Sequence, residues 1–345
     1  MQPWKVWAVA AACLPAAVSP ALAQDTVAGF FKDKAITLEV GAPPGGVLDL
    51  HARLVSRHLA RHVPGNPTVR VAYKPGAGSK VAARGLYTVA PKDGTWIGAT
   101  FPSAIVDPLL DITGLDYDPT KFIYLGSGSN EVPICMARAD GPVQTLQDLM
   151  TRELITSVTG PGGTNHDFPV AMTGLLGTKF KFVKGYQGGA QLGLAIERNE
   201  VQGVCGSWSF TKVQYPDILS GGLFLRIFVQ GSLSGDPDLT KAGVPLAGSL
   251  AKNEPDRQAL ELFLARYAFA TPYMLPPGVP PERVQALRAA FAAAMADPEL
   301  VAEAKRTSTD IKPTTGEEVQ QLVGRIYQSP KPVVDRLREA LAGKP

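Results

Sequence analysis

Ala42-Pro43-Pro44-Gly45-Gly46 and Lys74-Pro75-Gly76-Ala77-Gly78-Ser79 decide the reading of this chain, because each closes a short apolar strand and opens a helix. A turn of this kind leaves the first helical N–H groups unpaired at the positive end of the helix dipole. Each is an anion site that needs no charged side chain. Working outward, residues 36–40 read as a strand and 48–63 as a helix whose apolar positions Leu48, Ala52, Val55 and Leu59 keep helical spacing, with Pro64-Gly65 as its stop. Residues 69–73 are the next strand; after the second turn, Ser79 is placed to cap a helix carrying Val81, Ala82 and Leu86. A third strand, 96–101, ends in Pro102-Ser103. Strands separated by helices make a parallel sheet, and the loops at their C-terminal ends share one edge.

The same grammar starts again further on. A strand at 155–159 runs into Gly160-Pro161-Gly162-Gly163-Thr164-Asn165-His166 and a helix at 167–176. A strand at 180–186 runs into Gln187-Gly188-Gly189 and a helix at 190–198, and a strand at 201–205 ends at Gly206-Ser207-Trp208. The fold class expected is α/β, with two lobes, each a mainly parallel sheet flanked by helices, whose loop-bearing edges face one another. The boundaries expected are 24–126 with 231–345 for the first lobe and 127–230 for the second. Segments 122–126 and 225–230 are expected as hinge strands, and long helices at 281–296 and 317–342 in the first lobe.

The first 23 residues read as a secretory leader: Lys5, an apolar stretch at 6–18, then Ala21-Leu22-Ala23 as a small-x-small cleavage pattern. It is too short to span a bilayer, and Ala10-Ala11-Ala12 before Cys13 lacks the leading Leu of a lipidation site. Export to the periplasm is the expectation. The 345 residues, 45% hydrophobic and 19% charged, suffice for two cores. A net charge of +3 with scattered basic residues argues against nucleic acid as a partner.

The ordered set Pro43-Pro44-Gly45-Gly46-x-x-Asp49-x-x-Ala52-Arg53-Leu54, Pro75-Gly76-Ala77-Gly78 and Ala90-Pro91-Lys92-Asp93-Gly94-Thr95 resembles the signature of the tripartite tricarboxylate transporter receptors, the Bug or TctC-like family. Gly185-Tyr186-Gln187-Gly188, Glu200-Val201-Gln202-Gly203 and Pro276-Pro277-Gly278-Val279-Pro280 extend the likeness through nearly all of the mature chain. The resemblance implies a periplasmic, non-enzymatic binding protein of the two-lobed type II (Venus flytrap) fold. In that family a carboxylate is held by loop backbone, small hydroxyls and ordered water, and handed to membrane permease subunits. Carried over, the family's first-lobe loop falls on Pro44, Gly45, Gly46 and Asp49, its hydroxyl on Ser103, and its second-lobe pattern on Gly160, Gly162, Gly163, Thr164 and His166 with one extra residue. Gly188, Ser207 and Trp208 complete the candidate ligand set. Leu48 replaces a frequent hydroxyl, and Gln202 a usual acid.

Several residues carry two readings. The glycines are needed for the tight turns themselves or for ligand approach. Asp49 favours a helix start or contacts ligand, and Trp208 fills core or walls a pocket for a larger acid. Arg53 and Lys80 are expected in solvent. Mature Cys135 and Cys205, in second-lobe strands of an exported protein, are a disulfide or two buried thiols. His58 and His62 stand i, i+4 without a glutamate base, so no metal is expected, and no cofactor. Gly76-Ala77-Gly78-Ser79-Lys80 lacks the hydroxyl after Lys80 that a phosphate loop requires, and Gly-x-Ser-x-Gly is absent; of four histidines, three sit on one helix and His166 alone remains for a triad. An enzyme acting on a carboxylate, and a ligand-presenting partner of a membrane sensor kinase, stand as the alternatives to solute capture.

Overall fold

The computed structural model describes residues 27–110, 116–186, 188–221, 224–307 and 309–342. The leader, with Lys5 and Cys13, lies outside them, as does Gln187. No described helix is long and apolar enough to cross a membrane.

Two sheets organise the chain. The first holds β1 (Ala35–Val40), β2 (Thr68–Tyr73), β3 (Trp96–Ala99), β4 (Ile123–Ser127), β10 (Pro272–Leu275) and β11 (Thr314–Thr315) in the order β11-β4-β10-β3-β1-β2. The second holds β5 (Pro133–Arg138), β6 (Leu154–Ser157), β7 (Phe180–Val183), β8 (Gly203–Ser207) and β9 (Leu225–Gln230) in the order β7-β6-β8-β5-β9. Within each, the strands joined by helices pair in parallel: β2-β1-β3 in one, β7-β6-β8 in the other. Helices α1 (Val47–Leu59), α2 (Lys80–Thr88) and α3 (Ser103–Leu110) follow β1, β2 and β3; α4 (Thr164–Leu176), α5 (Gly189–Glu197) and α6 (Trp208–Gln214) follow β6, β7 and β8. All six connecting turns therefore lie at C-terminal strand ends, where a crevice forms.

Three expectations change. Strand β4 lies inside the first sheet between β10 and β11, and β9 is an edge of the second, so neither is a hinge. The crossing is made by residues 128–131 running beside 267–271, tied by Gly128 N to Thr271 O (3.1 Å), Ala270 N to Ser129 O (2.9 Å) and Glu131 N to Tyr267 O (2.8 Å). The long C-terminal helix breaks at Ser329-Pro330, because the residue before a proline leaves the helical region, giving α9 (Gly316–Tyr327) and α10 (Lys331–Leu341). Finally, α10 and α7 (Glu254–Ala265), expected in the first lobe, pack on α4 of the second. Arg336 fixes them by donating to Gly174 O (2.8 Å) and Asp256 Oδ1 (2.7 Å). One apolar cluster consequently runs from Phe122 and Tyr124 through Leu260 and Leu337 to Phe168, so the two sheets share core on this side.

Cys135 and Cys205 stand directly opposite in the antiparallel β5–β8 pair and are joined by a disulfide, Cα–Cα 4.0 Å, 70 residues apart in sequence. His58 and His62 bond Glu303 (2.7 Å) and Asp297 (2.8 Å), joining α1 to α8 (Pro298–Arg306) and its cap.

Candidate functional site

The sequence reading placed anion-binding ends on the helices that open onto the crevice, and four of those helices start without a side-chain cap, whereas Ser207 caps α6. Away from the crevice, Asp236, Asn253, Asp297 and Thr315 cap their helices with their own side chains, while the helices that follow Pro280 and Pro330 have no such cap. At α1, α2, α4 and α5 the N-cap positions are Gly46, Ser79, Gly163 and Gly188, and none makes a side-chain cap bond. An N-cap oxygen normally satisfies a first-turn N–H. Four helix ends on one crevice have left that acceptor out.

Ser79 explains why its helix is uncapped. Its φ is +70°, and its Oγ donates to Gly41 O (2.9 Å) while accepting from Phe101 N (3.0 Å), so the hydroxyl ties the ends of β1 and β3 to the second turn. The cap expected from the sequence serves the loop scaffold instead. Such left-handed non-glycine backbone persists only where the surroundings over-determine it.

Asp49 is 2% exposed and accepts from Gly45 N (2.7 Å), Arg53 Nε (2.8 Å) and Tyr73 Oη (2.6 Å). Burial alone would raise its carboxyl, but the donors from Tyr73, Gly45 and Arg53 outweigh that and hold it below the usual range. Besides standing in the first turn of α1, as one of its two readings has it, Asp49 anchors the loop, and Arg53, exposed as expected, is its partner. Pro44, Gly45 and Gly46 stand exposed above it, with open space where a Cβ would project from either glycine.

In the second lobe, Asp167 does the corresponding work. It accepts from Gly162 N (3.1 Å) and lies 2.8 Å from His166 Nδ1. Gly163 has Asn165 Oδ1 and Thr159 Oγ1 closest to its Cβ direction, and the Thr164 side chain hydrogen-bonds the buried Tyr267. The two lobes meet here: a Cβ on Gly162 would lie 3.4 Å from the Gly78 Cα, and Ser103 Oγ donates to Gly78 O (3.1 Å). A cleft of ≈ 430 Å³ opens beside this contact, lined by Thr159, Gly160, Pro161, His166, Lys184, Gly185 and Tyr186.

Ser207 and Trp208 do other work. Ser207 caps α6 and donates to the Glu131 carboxylate, which Ser209 also reaches (2.9 Å). Burial raises the Glu131 carboxyl against these donors. Trp208 is 4% exposed in a core with Ile134, Leu192 and Ile196. Of the two readings of Trp208 its burial favours the core filler, and the aromatic lining the cleft is Tyr186. Gly188 keeps open space at its Cβ position ahead of α5. Glu131, Lys184 and Arg266 were missed as site neighbours, since nothing in their local sequence marks a crevice.

No family model and no curated protein matches the sequence. Solved structures do. A TctC solute-binding protein from Polaromonas superposes with a TM-score of 0.65 at 19% identity, over 90% of this chain and 98% of that one. MatC from Rhodopseudomonas palustris, with bound malate, gives 0.64 at 19% identity over 87% and 99%. A second protein of that organism, with adipate, gives 0.62 at 20% identity over 88% and 97%. The chain therefore has the two-lobed fold of the TctC and Bug solute-binding proteins.

Proposed function

We propose that the mature chain is an extracytoplasmic, non-enzymatic solute-binding protein that takes a small organic carboxylate between its lobes and delivers it to membrane permease subunits. The observation that carries this is the set of four helix N-termini on one crevice, at Gly46, Ser79, Gly163 and Gly188, that no side chain caps. A carboxylate is the complement of such ends, since it accepts from several N–H groups at once. Pro44, Gly45 and Gly46 supply backbone from the first lobe; Gly162, Gly163, Thr164, His166 and Gly188 line the second. Asp49 and Ser103 act through the turns they hold. The fold's neighbours carry malate and adipate, which makes aliphatic dicarboxylates the first compounds to try.

A thermal-shift panel of aliphatic and aromatic acids tests the reading, with mass spectrometry of the acid released from freshly purified protein. A ligand at 100 times its Kd adds about 2.7 kcal/mol of stability. No response across the panel overturns solute capture, and chemical conversion of a bound acid overturns the non-enzymatic part.

A further inference from the structure

Arg266 begins a short turn, Arg266–Phe269, immediately before the segment that crosses between the sheets. The residue is 3% exposed. Its Nη1 lies 3.3 Å from Asp107 Oδ1 and 3.8 Å from Asp167 Oδ2, and its guanidinium carbon 4.6 Å from the centre of the Phe263 ring. Asp107 belongs to α3 of the first lobe, the helix that starts at Ser103; Asp167 belongs to the first turn of α4 in the second. Lys80 Nζ approaches the other Asp107 oxygen at 3.5 Å. Nε and Nη2 of Arg266 are buried without a hydrogen-bond partner among the described residues.

A buried guanidinium is costly unless its charge is matched, and here the match comes from two helices in different lobes. Both contacts exist only when α3 and α4 keep their present spacing. Asp167 is the same carboxylate that holds Gly162 N and His166, and Gly162 is the residue that touches Gly78 across the crevice. One cation thus reaches both sides of the contact between the glycine turns. Its two unpartnered donors leave it able to turn and follow one carboxylate when the other withdraws, which suits a movable joint better than a fixed one.

We propose that Arg266 is a positioning residue that sets the spacing of the lobes, holding Asp107 of the first and Asp167 of the second on one guanidinium. The ligand-rate consequence rests on the solute-binding reading; the spacing itself does not. Spin labels at Val89→Cys and Leu194→Cys, both exposed and in different lobes, report the separation by pulsed electron resonance in the disulfide-intact mature protein without added ligand. The parent should give one narrow distribution. Arg266→Gln and Asp107→Asn should each add a population at longer distance, Arg266→Lys a smaller one, since an ammonium lacks the fork. Folded variants with the parental distribution, whether or not their Tm has fallen, overturn the proposal. If Arg266→Gln does not fold, the isosteric and part-exposed Asp107→Asn decides. With adipate as the probe, stopped-flow dissociation from Asp107→Asn should be about fivefold faster than from the parent. A parent that binds no adipate or other acid counts against solute capture, while the distance measurement still decides the role of Arg266.

Discussion

In the first lobe, the aspartate after the glycine turn folds back to Gly45 N and is closed off locally, by Arg53 one helical turn on and by Tyr73 at the end of the adjacent strand. In the second, Asp167 folds back to Gly162 N in the same manner, but its cation is Arg266, which belongs to the connection between the lobes and also pairs with Asp107. The device is shared and its far end differs. A turn anchored within its own lobe keeps its shape whatever the other lobe does; a turn anchored through the crossing is shaped by lobe position as well. This asymmetry assigns shape to the first turn and coupling to the second, and each prediction below loads one side of it.

The largest effect expected is on the second lobe alone. The Cys135–Cys205 link encloses a 70-residue separation, for which the chain-entropy model gives about 4 kcal/mol of stabilisation. Cys135→Ala with Cys205→Ala should lower the urea midpoint accordingly and make the second lobe the first to unfold. An unchanged midpoint on reduction would show that the β5–β8 pair is held by packing alone.

Acid should act first beside the first turn. His51, one turn along α1 from the Gly46 cap, is buried with its Nδ1 beside Gly128, and burial holds it down at about 4 although Asp310 pulls it upward. The unfolded chain, at 6.5, binds a proton that the fold rejects, so stability falls as pH drops from 6.5 to 4, by about 3 kcal/mol in all. Asp49 has the opposite sign of origin but the same direction of loss: its contribution is complete above 3.8 and disappears only as pH falls through its lower folded value. The two windows do not overlap. His51→Gln should flatten the melting temperature between pH 6.5 and 4 and leave the steeper fall below it; an unaltered slope in that window would assign it to other groups.

Next in size is Asp49→Ala, which strands the donors of Gly45, Arg53 and Tyr73. Loss of the buried acceptor should cost about 2 kcal/mol, yet leave the lobe separation untouched, because none of its partners leaves the first lobe. Asp167→Asn should do the reverse, costing less stability and shifting the separation. Equal effects of the two on separation would erase the distinction between an autonomous and a coupled turn.

Much of this was legible beforehand, for physical reasons that name its limits. The strand-turn-helix units around Gly45, Gly76 and Gly162 are local: period, turn residues and strand ends lie within about twenty residues of one another, so the parallel part of each sheet and the edge it presents can be read in order, whereas the antiparallel strands that complete both sheets cannot. What could not be read is long-range. Nothing in 331–341 says that it will leave the first lobe and lie on α4; that depends on Gly174 offering a flat surface to Ala340, where a Cβ would be 2.4 Å from the carbonyl oxygen. Trp208 and Asp49 were ambiguous because a residue beside a crevice can point into the core or out of it, and sequence carries no sign for that choice. Arg266 lies 99 residues from Asp167, a separation at which no pattern pairs charges.

The smallest stability change and the most direct test of the first turn come together at Gly46. Positive φ belongs to its neighbour Gly45, at +93°, while Gly46 itself is extended at φ −91° and ψ 174°, and its Cβ position meets nothing within 4 Å. The strain expected for a β-branched residue in a left-handed turn therefore does not arise there, and Gly46→Val should cost less than about 1 kcal/mol. The new methyls would stand over the uncapped start of α1, in the space a carboxylate must enter, and should weaken acid binding at least about tenfold in calorimetry. Gly163→Val is the informative contrast, because Asn165 Oδ1 and Thr159 Oγ1 already lie 3.1 and 3.3 Å from that Cβ position, so folding and binding should suffer together. A folded Gly46→Val with parental affinity would remove the first-lobe turn from the site and leave recognition to the second lobe alone.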